Sequence, residues 1–257
     1  MKVIKNRLPD FNQLQILPLA DLHIGDIHSD GKKIMEWLEY IEKNENCYTI
    51  LNGDLCDTAT RQSIGDVYSQ TYNPMMQLEQ AVKLFGPIKD KILAVTAGNH
   101  EARIWKTDGI DTTQLICQQL GIPERYSPES ALVFVQFGKQ SGKRSYWPML
   151  YSIYCVHGSG GGRKEGGKVN RLVDLASVID ADIYLHSHVH TPAIVRNAYF
   201  RVDKAKQTIV KVDRLFINTS SSLEYGGYGE FQSYKPNSLE TPLILLDGYK
   251  RGMRAVL

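Results

Sequence analysis

The chain has little of several things, and each shortage closes off a class of protein. It has only four cysteines, Cys47, Cys56, Cys117 and Cys155, far apart and without a CxxC pair. That spacing excludes a disulfide framework and a thiolate zinc site, and it fits free buried thiols in a reducing cytoplasm. Neither sign of charge is in excess: 30 lysines and arginines face 28 aspartates and glutamates, a formal +2. No global field therefore favours nucleic acid or a membrane. No apolar run approaches the roughly 18 residues that span a bilayer. The opening MKVIKNRLPDFNQLQ lacks the apolar stretch of a secretory signal. A cytoplasmic protein without a membrane partner is expected. No internal repeat is visible, and no linker, so a single domain over residues 1–257 is expected. Nothing in the sequence speaks to oligomeric state.

What is present is a regular alternation of strand-like and helix-like segments. LQILPLADLH reads as a buried strand running into a loop, and CYTILNGD and KILAVTAGNHE as a second and third strand ending in polar loops. Between them, Ile34, Trp37, Leu38 and Ile41 mark one face of a helix over residues 30–45, and residues 73–85 read as a second helix with Pro74 in its first turn. Residues 111–120 read as a short helix stopped by Gly121 and Pro123. This order predicts parallel strands with helical crossovers. The second half is strand-rich: SALVFVQFG and PMLYSIYCVHG suggest a hairpin, then a helix over 169–178, then ADIYLHS, AIVRNAYFRVD, QTIVKVDRLFINT and TPLILLDG. Two β-layers with outer helices are expected.

The polar residues fall in a pattern. The predicted strands end in Asp21-Leu22-His23, Asn52-Gly53-Asp54-Leu55-Cys56-Asp57, Gly98-Asn99-His100-Glu101, His157-Gly158 and Ser187-His188-Val189-His190. Ligands of α/β sheets bind at the carboxyl ends of strands. The segment LHSHVHTP places His186, His188 and His190 at every second residue, which in an extended chain puts the three imidazoles on one side. That makes a poor hydrophobic face and a good set of metal ligands. Carboxylate, imidazole and amide donors without thiolate suit Mn, Fe or Zn. Seven such side chains are too many for one ion and suit two, with Asp54 bridging. Two ions about 3.5–4 Å apart can clamp the attacking and leaving oxygens of a phosphoryl displacement, and a hydroxide held between them would be the nucleophile. One DxH or one GD is weak evidence; five such motifs in order, each at a strand end, are not.

The series DLH, NGDLCD, GNHE, VHG and SHVH resembles the calcineurin-like metallophosphoesterase superfamily from Asp21 to Pro192, and FINTSS resembles the strand that closes its second sheet. The resemblance implies an α/β fold, a four-layer α/β/β/α sandwich with two mixed sheets. It implies that Asp21, His23 and His190 hold one metal, that Asn99, His157 and His188 hold the other, and that Asp54 holds both. His100 would protonate the leaving oxygen, with Asp57 fixing its tautomer. The cofactors implied are two divalent ions, Mn²⁺ foremost, with Fe or Zn as alternatives. Ser187 stands where the family's GHxH has glycine, which removes no ligand. His186 is read as a strand or supporting residue and His28 as a loop residue.

The implied reaction is phosphoester hydrolysis. Thr58-Ala59 follow Asp57 where the protein phosphatase branch carries Arg-Gly, so protein substrates are disfavoured. Phosphodiesters, as in nucleic acids or nucleotides, are preferred over small phosphomonoesters by the local basic stretches at 139–144, 163–171 and 250–254. A non-catalytic scaffold of the same fold is the alternative from another class, disfavoured because every ligand and His100 are present. Arg61, Arg103, Arg163 and Lys164 are candidate phosphate contacts, the last two within a basic loop at 159–168 beside His157. The near P-loop GRKEGGKV is rejected: Val169 stands where a hydroxyl must bind Mg²⁺, and no strand immediately precedes it. Trp105 is expected in the core, and residues 220–234 as a long ordered loop at the rim of the site or at an oligomer contact.

Overall fold

In the computed structural model the described residues are 1–61, 63, 67–139, 147–160 and 162–257. Most of the basic stretch at 139–144 lies outside them. The chain runs β1 (Lys2–Arg7), β2 (Gln13–Ile16), α1 (Gly31–Lys43), β3 (Cys47–Asn52), α2 (Pro74–Phe85) and β4 (Ile92–Thr96). It continues through α3 (Glu101–Asp108), α4 (Thr112–Gln119), β5 (Tyr126–Ser127), β6 (Ser130–Phe137) and β7 (Met149–Val156). The last third holds α5 (Glu165–Asp174), β8 (Ile183–His186), β9 (Ala193–Asp203), β10 (Thr208–Asn218), α6 (Gly227–Phe231), β11 (Leu243–Asp247) and β12 (Met253–Val256).

The helices begin where side chains can satisfy their free N–H groups. The Asp30 carboxylate accepts from the Lys32 and Lys33 N–H groups, and Asn73 caps α2 ahead of Pro74. The buried face of α1 consists of Ile34, Trp37, Leu38 and Ile41, the four positions the spacing marks. Each such side chain contributes about 1.5–3 kcal/mol when fully buried.

One sheet has the order β12-β11-β2-β3-β4-β5 and the other β1-β6-β7-β8-β10-β9. In the first, β2, β3 and β4 run parallel, joined by the helical crossovers α1 and α2. In the second, β6 and β7 form the expected antiparallel pair, while β7, β8 and β10 run parallel. The inner faces meet in a core that includes Ile16, Ile50, Ala94, Val133, Ile153, Leu185 and Ile217. Helices α1, α2 and α4 cover the outer face of the first sheet, with Trp37, Phe85 and Ile116 in the seam. On the second sheet Leu172 of α5 packs with Tyr154, Tyr184 and Phe216. The architecture is thus α/β/β/α, and β3, sealed on both faces, is buried at every residue.

Four expectations need correction. The helix placed at 169–178 begins at Glu165, so the supposed basic loop at 159–168 is in its second half the first turn of α5. An unexpected helix, α3, starts directly after His100 and carries Trp105 at 57% exposure rather than in the core. The long loop at 220–234 contains the short helix α6. Finally, β8 ends at His186, so His188 and His190 lie beyond the strand, not on it.

Candidate metal centre

The carboxyl ends of β3, β4, β7 and β8 point to one place, from both sheets, and the loop after β2 joins them there. Asp21, His23, Asp54, His188 and His190 all have left-handed backbone, with φ between 45° and 68°. Such conformations are uncommon for residues with a Cβ, and they gather where surrounding structure over-determines them, often at functional sites. They also answer why histidines two apart can serve one centre: tight turns, not strand alternation, aim His188 and His190.

Two glycines let the loops interlock. Gly53 has φ +85°, and a Cβ there would lie 2.6 Å from His157 Nδ1. A Cβ on Gly98 would lie 2.0 Å from Asp54 Oδ1. No other residue fits either position without moving a candidate ligand.

The donor atoms form overlapping groups, each within 4.8 Å: Asp21, His23 and His190; Asp54, His157 and His188; and His23, Asp54 and His100. Asp21 Oδ1 lies 3.1 Å from His190 Nε2, and Asp54 Oδ2 lies 3.1 Å from His157 Nε2. Asn99 Oδ1 is 3.1 Å from the same His157 nitrogen. All seven residues expected to hold metal therefore meet in one cleft.

The donor chemistry fits two divalent ions. His23 is 1% exposed, yet neither of its ring nitrogens has a hydrogen-bond partner among the described residues. A buried imidazole without partners is costly unless something else engages it. Its Nε2 stands 3.9 Å from Asp21 Oδ1, too far for a hydrogen bond. Two ligands bound at about 2.0–2.2 Å to one ion can lie this far apart. The electrostatics agree. Burial lowers the pKa of His157, but the Asp54 and Asp21 carboxylates outweigh it and raise the imidazole to about 10. Burial works against the Asp54 charge, yet His157 and His100 hold that carboxyl well below its ordinary range. The protein alone thus draws a positive charge between its carboxylates, and here a proton supplies it. His188, pressed by burial and by His157, falls to about 4 and stands neutral at pH 7, the form that binds metal.

At the edge of the cluster stands His100. Its Nδ1 lies 2.8 Å from Asp57 Oδ1, and its Nε2 lies 3.8 Å from Asp54 Oδ2. Burial lowers its pKa, but Asp54 and Asp57 outweigh that and raise it. Burial likewise opposes the Asp57 charge, while the hydrogen bond from His100 and the nearby His23 imidazole, its Nδ1 3.5 Å away, hold that carboxyl well below its usual range.

Among the candidate phosphate contacts, Arg103 reaches the site: its Nη2 is 3.0 Å from His100 Nε2. Arg61 is exposed in a turn. Arg163 donates to the Gln232 carbonyl at 3.0 Å, and Lys164 stands exposed at the start of α5. The structure ties none of these three to the cluster.

The sequence leaves Glu101 undecided between a supporting and an exposed position, and does not single out Ser221 or Ser222. Glu101 is 2% exposed, and its carboxylate accepts from four backbone N–H groups: Asp54 at 3.1 Å, Leu55 at 2.6 Å, Cys56 at 3.0 Å and Gly98 at 3.0 Å. It straps the Asp54 loop to the Gly98 loop. Ser221 and Ser222 donate to the carbonyls of Asp21 and Leu22 at 2.8 and 2.7 Å, pinning the Asp21 turn. The signal for them was the TSSS run directly after β10, polar where the core pattern stops. Ser187 needs no left-handed backbone; its Oγ accepts from Asn52 Nδ2 at 2.7 Å and from Thr219 Oγ1 at 2.9 Å, bracing one sheet against the other. His186 belongs to none of the three groups and its Nδ1 lies 3.0 Å from Asn218 Oδ1. His28 lies in a loop against Gly226 and Gly227.

No curated protein matches the chain. Among the solved structures that resemble it over nearly its whole length are the following two. One is a conserved uncharacterized protein of Streptococcus pneumoniae, described as a predicted phosphoesterase, with 15% identity, a TM-score of 0.38, and 95% of this chain and 97% of that one covered. The other is a double mutant of Vps29 from Entamoeba histolytica, with 12% identity, a TM-score of 0.44, and 95% and 98% covered. The sequence profile of the calcineurin-like phosphoesterases matches residues 22–192, more than half the chain, and the protein therefore belongs to that family.

Proposed function

We propose that this protein is a phosphoester hydrolase dependent on two divalent metals, acting on phosphodiesters such as those of nucleotides or nucleic acid. One observation carries the reading: two donor groups, one with Asp21 and one with Asp54, share a cleft with an imidazole–carboxylate pair, His100 and Asp57, at its edge. In this assignment Asp21, His23 and His190 would hold one ion, Asn99, His157 and His188 the other, and Asp54 would contribute to both. The donor set suits Mn²⁺, with Fe or Zn as alternatives. Bound there, the ions would supply Lewis acidity toward the phosphoryl oxygens and activation of water.

The chain's own residues do the rest. Asp57 Oδ1 accepts from His100 Nδ1–H, which fixes the tautomer and leaves Nε2 toward the cleft. In this arrangement Nε2 accepts from Arg103 Nη2–H, so His100 is placed to pass a proton to the departing oxygen once the guanidinium turns to the phosphate. Arg103, with its guanidinium 3.0 Å from that nitrogen, is placed to hold a phosphoryl oxygen. Among the described residues it is the one cationic lysine or arginine side chain hydrogen-bonded to the cluster. No helix among the described residues is long and apolar enough to cross a membrane.

The test is hydrolysis of bis-p-nitrophenyl phosphate and p-nitrophenyl phosphate with Mn²⁺, alongside the Asp54→Asn protein. Diester turnover that depends on Asp54 is expected. Faster monoester turnover would reassign the substrate class, and absence of turnover on either would favour a binding scaffold.

A further inference from the structure

A cavity of about 320 Å³ opens beside Asn99 and His157, at the Asp54 side of the centre. Its other walls come from Ala97, from Pro128, Glu129 and Ser130 in the turn between β5 and β6, and from Tyr154 and Val156 of β7. The volume sits at the lower end of small-ligand sites, about 300–1,000 Å³.

The walls are fixed before any ligand arrives. Ser127 Oγ donates to the Ser130 carbonyl at 2.7 Å and holds the turn. The Tyr154 ring meets Tyr184 edge-on at 6.4 Å between centroids, and Tyr184 stacks on Phe216 at 4.7 Å. Among the described residues no lysine or arginine lines the cavity, and Glu129 stands exposed at its mouth, 3.8 Å from the N-terminal ammonium group. The cationic side chain at the centre, Arg103, stands with His100 and does not line the cavity. The cleft is therefore lopsided, with a guanidinium beside His100 and a partly apolar cavity without lysine or arginine beside His157.

We propose that this cavity is a subsite for one uncharged, nucleoside-sized substituent of the substrate's phosphate. Tyr154, Val156 and Pro128 offer apolar contact to a flat heterocycle, while the Glu129 carboxylate and Ser130 hydroxyl accept from its amino or hydroxyl groups. The proposal rests on the phosphodiesterase reading above and narrows its substrate class to nucleotide diesters.

The probe is adenosine, which carries no phosphate, added to the full-length protein with and without Zn²⁺ and followed by amide NMR. Shifts at Ala97, Gly98, Ser130 and Val156 are expected in both conditions, because the subsite does not need the metals. In Ser130→Trp, where an indole occupies the cavity, those shifts disappear. The KM for the p-nitrophenyl ester of thymidine 5′-phosphate rises by roughly tenfold or more, the scale of losing an apolar contact, and metal uptake stays at the wild-type level. Shifts confined to other residues, or no shifts, in the wild-type protein would overturn the proposal. So would adenosine binding unchanged in a folded Ser130→Trp protein. Failure of the phosphoesterase reading shows separately, as absence of ester turnover in a metal-loaded protein, and leaves the adenosine measurement intact.

Discussion

Replacing Glu101 with glutamine removes one charge and changes almost no volume, so its effect isolates the hydrogen bonds of the strap. In the native protein Oε1 accepts from Leu55 and Cys56, and Oε2 accepts from Asp54 and Gly98. A glutamine keeps one oxygen. Whichever way the amide turns, two N–H groups face an NH₂ donor instead of an acceptor. Hydrogen bonds to a charged group contribute about 1.5–3 kcal/mol each, and leaving a buried donor unpaired costs about 1–3 kcal/mol. Losing two of the four gives about 3–6 kcal/mol, a large part of the roughly 5–15 kcal/mol that holds a domain folded. The expected result in urea is a much lower midpoint with an unchanged slope. Because the same N–H groups set the Asp54 turn, metal affinity should fall by about 10–100-fold, the scale for residues that orient ligands. A glutamine variant within about 0.5 kcal/mol of wild type, with unchanged metal affinity, would show that Glu101 does not hold the loop.

Four further outcomes are expected. Asp54→Asn should lose both metals and all turnover, read by metal content after gel filtration; full activity with two tightly held ions would remove Asp54 from the bridging position. His100→Asn should retain both metals and slow turnover by about 10²–10⁴-fold, with the largest loss on esters of poor leaving groups; an even loss across leaving groups would place the acid elsewhere. Gly98→Ala forces a methyl into Asp54 Oδ1 and should abolish metal binding at a cost above about 2 kcal/mol; a crystal structure with the Asp54 loop unmoved would contradict this. The fourth concerns protons. In the metal-free protein His157 has a pKa raised to about 10 from 6.5, so its contribution to stability is complete below pH 6.5 and is lost as pH rises through 10. Metal must displace that proton, so at pH 7.5 calorimetric titration in buffers of different ionisation enthalpy should show proton release, and affinity should fall as pH falls. Buffer-independent heats would contradict the assignment of His157.

The sequence was most legible where burial alone decides structure. The spacing of Ile34, Trp37, Leu38 and Ile41 gave both the existence and the inward face of α1. The run CYTIL before Asn52 marked β3 as a strand, and every one of its residues is buried. The residues of the candidate centre were legible because each polar cluster interrupts such a run at its carboxyl end. Their geometry was not. Alternating histidines imitate a strand, and nothing local announces that Asp21, His188 and His190 take left-handed backbone; partners far along the chain impose it, such as Ser222, whose N–H donates to the Asp21 carbonyl. Edge strands were also hidden. In KVIKNR of β1 only Ile4 is fully buried, so the alternation that identifies a strand is blurred by charge. Helix α3 was missed because it is eight residues long and follows a motif whose chemistry drew the reading toward a loop. Glu101 was ambiguous since a glutamate at a helix start is usually solvated, and only the approach of the Asp54 loop turns it into a buried strap.

The central claim is that Asp54 stands between two metal ions. Anomalous diffraction from crystals soaked in Mn²⁺ tests it most directly. The account predicts two peaks about 3.5–4 Å apart, one against Asp21, His23 and His190, the other against Asn99, His157 and His188, with Asp54 touching both. A single peak, or peaks that leave Asp54 without a metal, would contradict it.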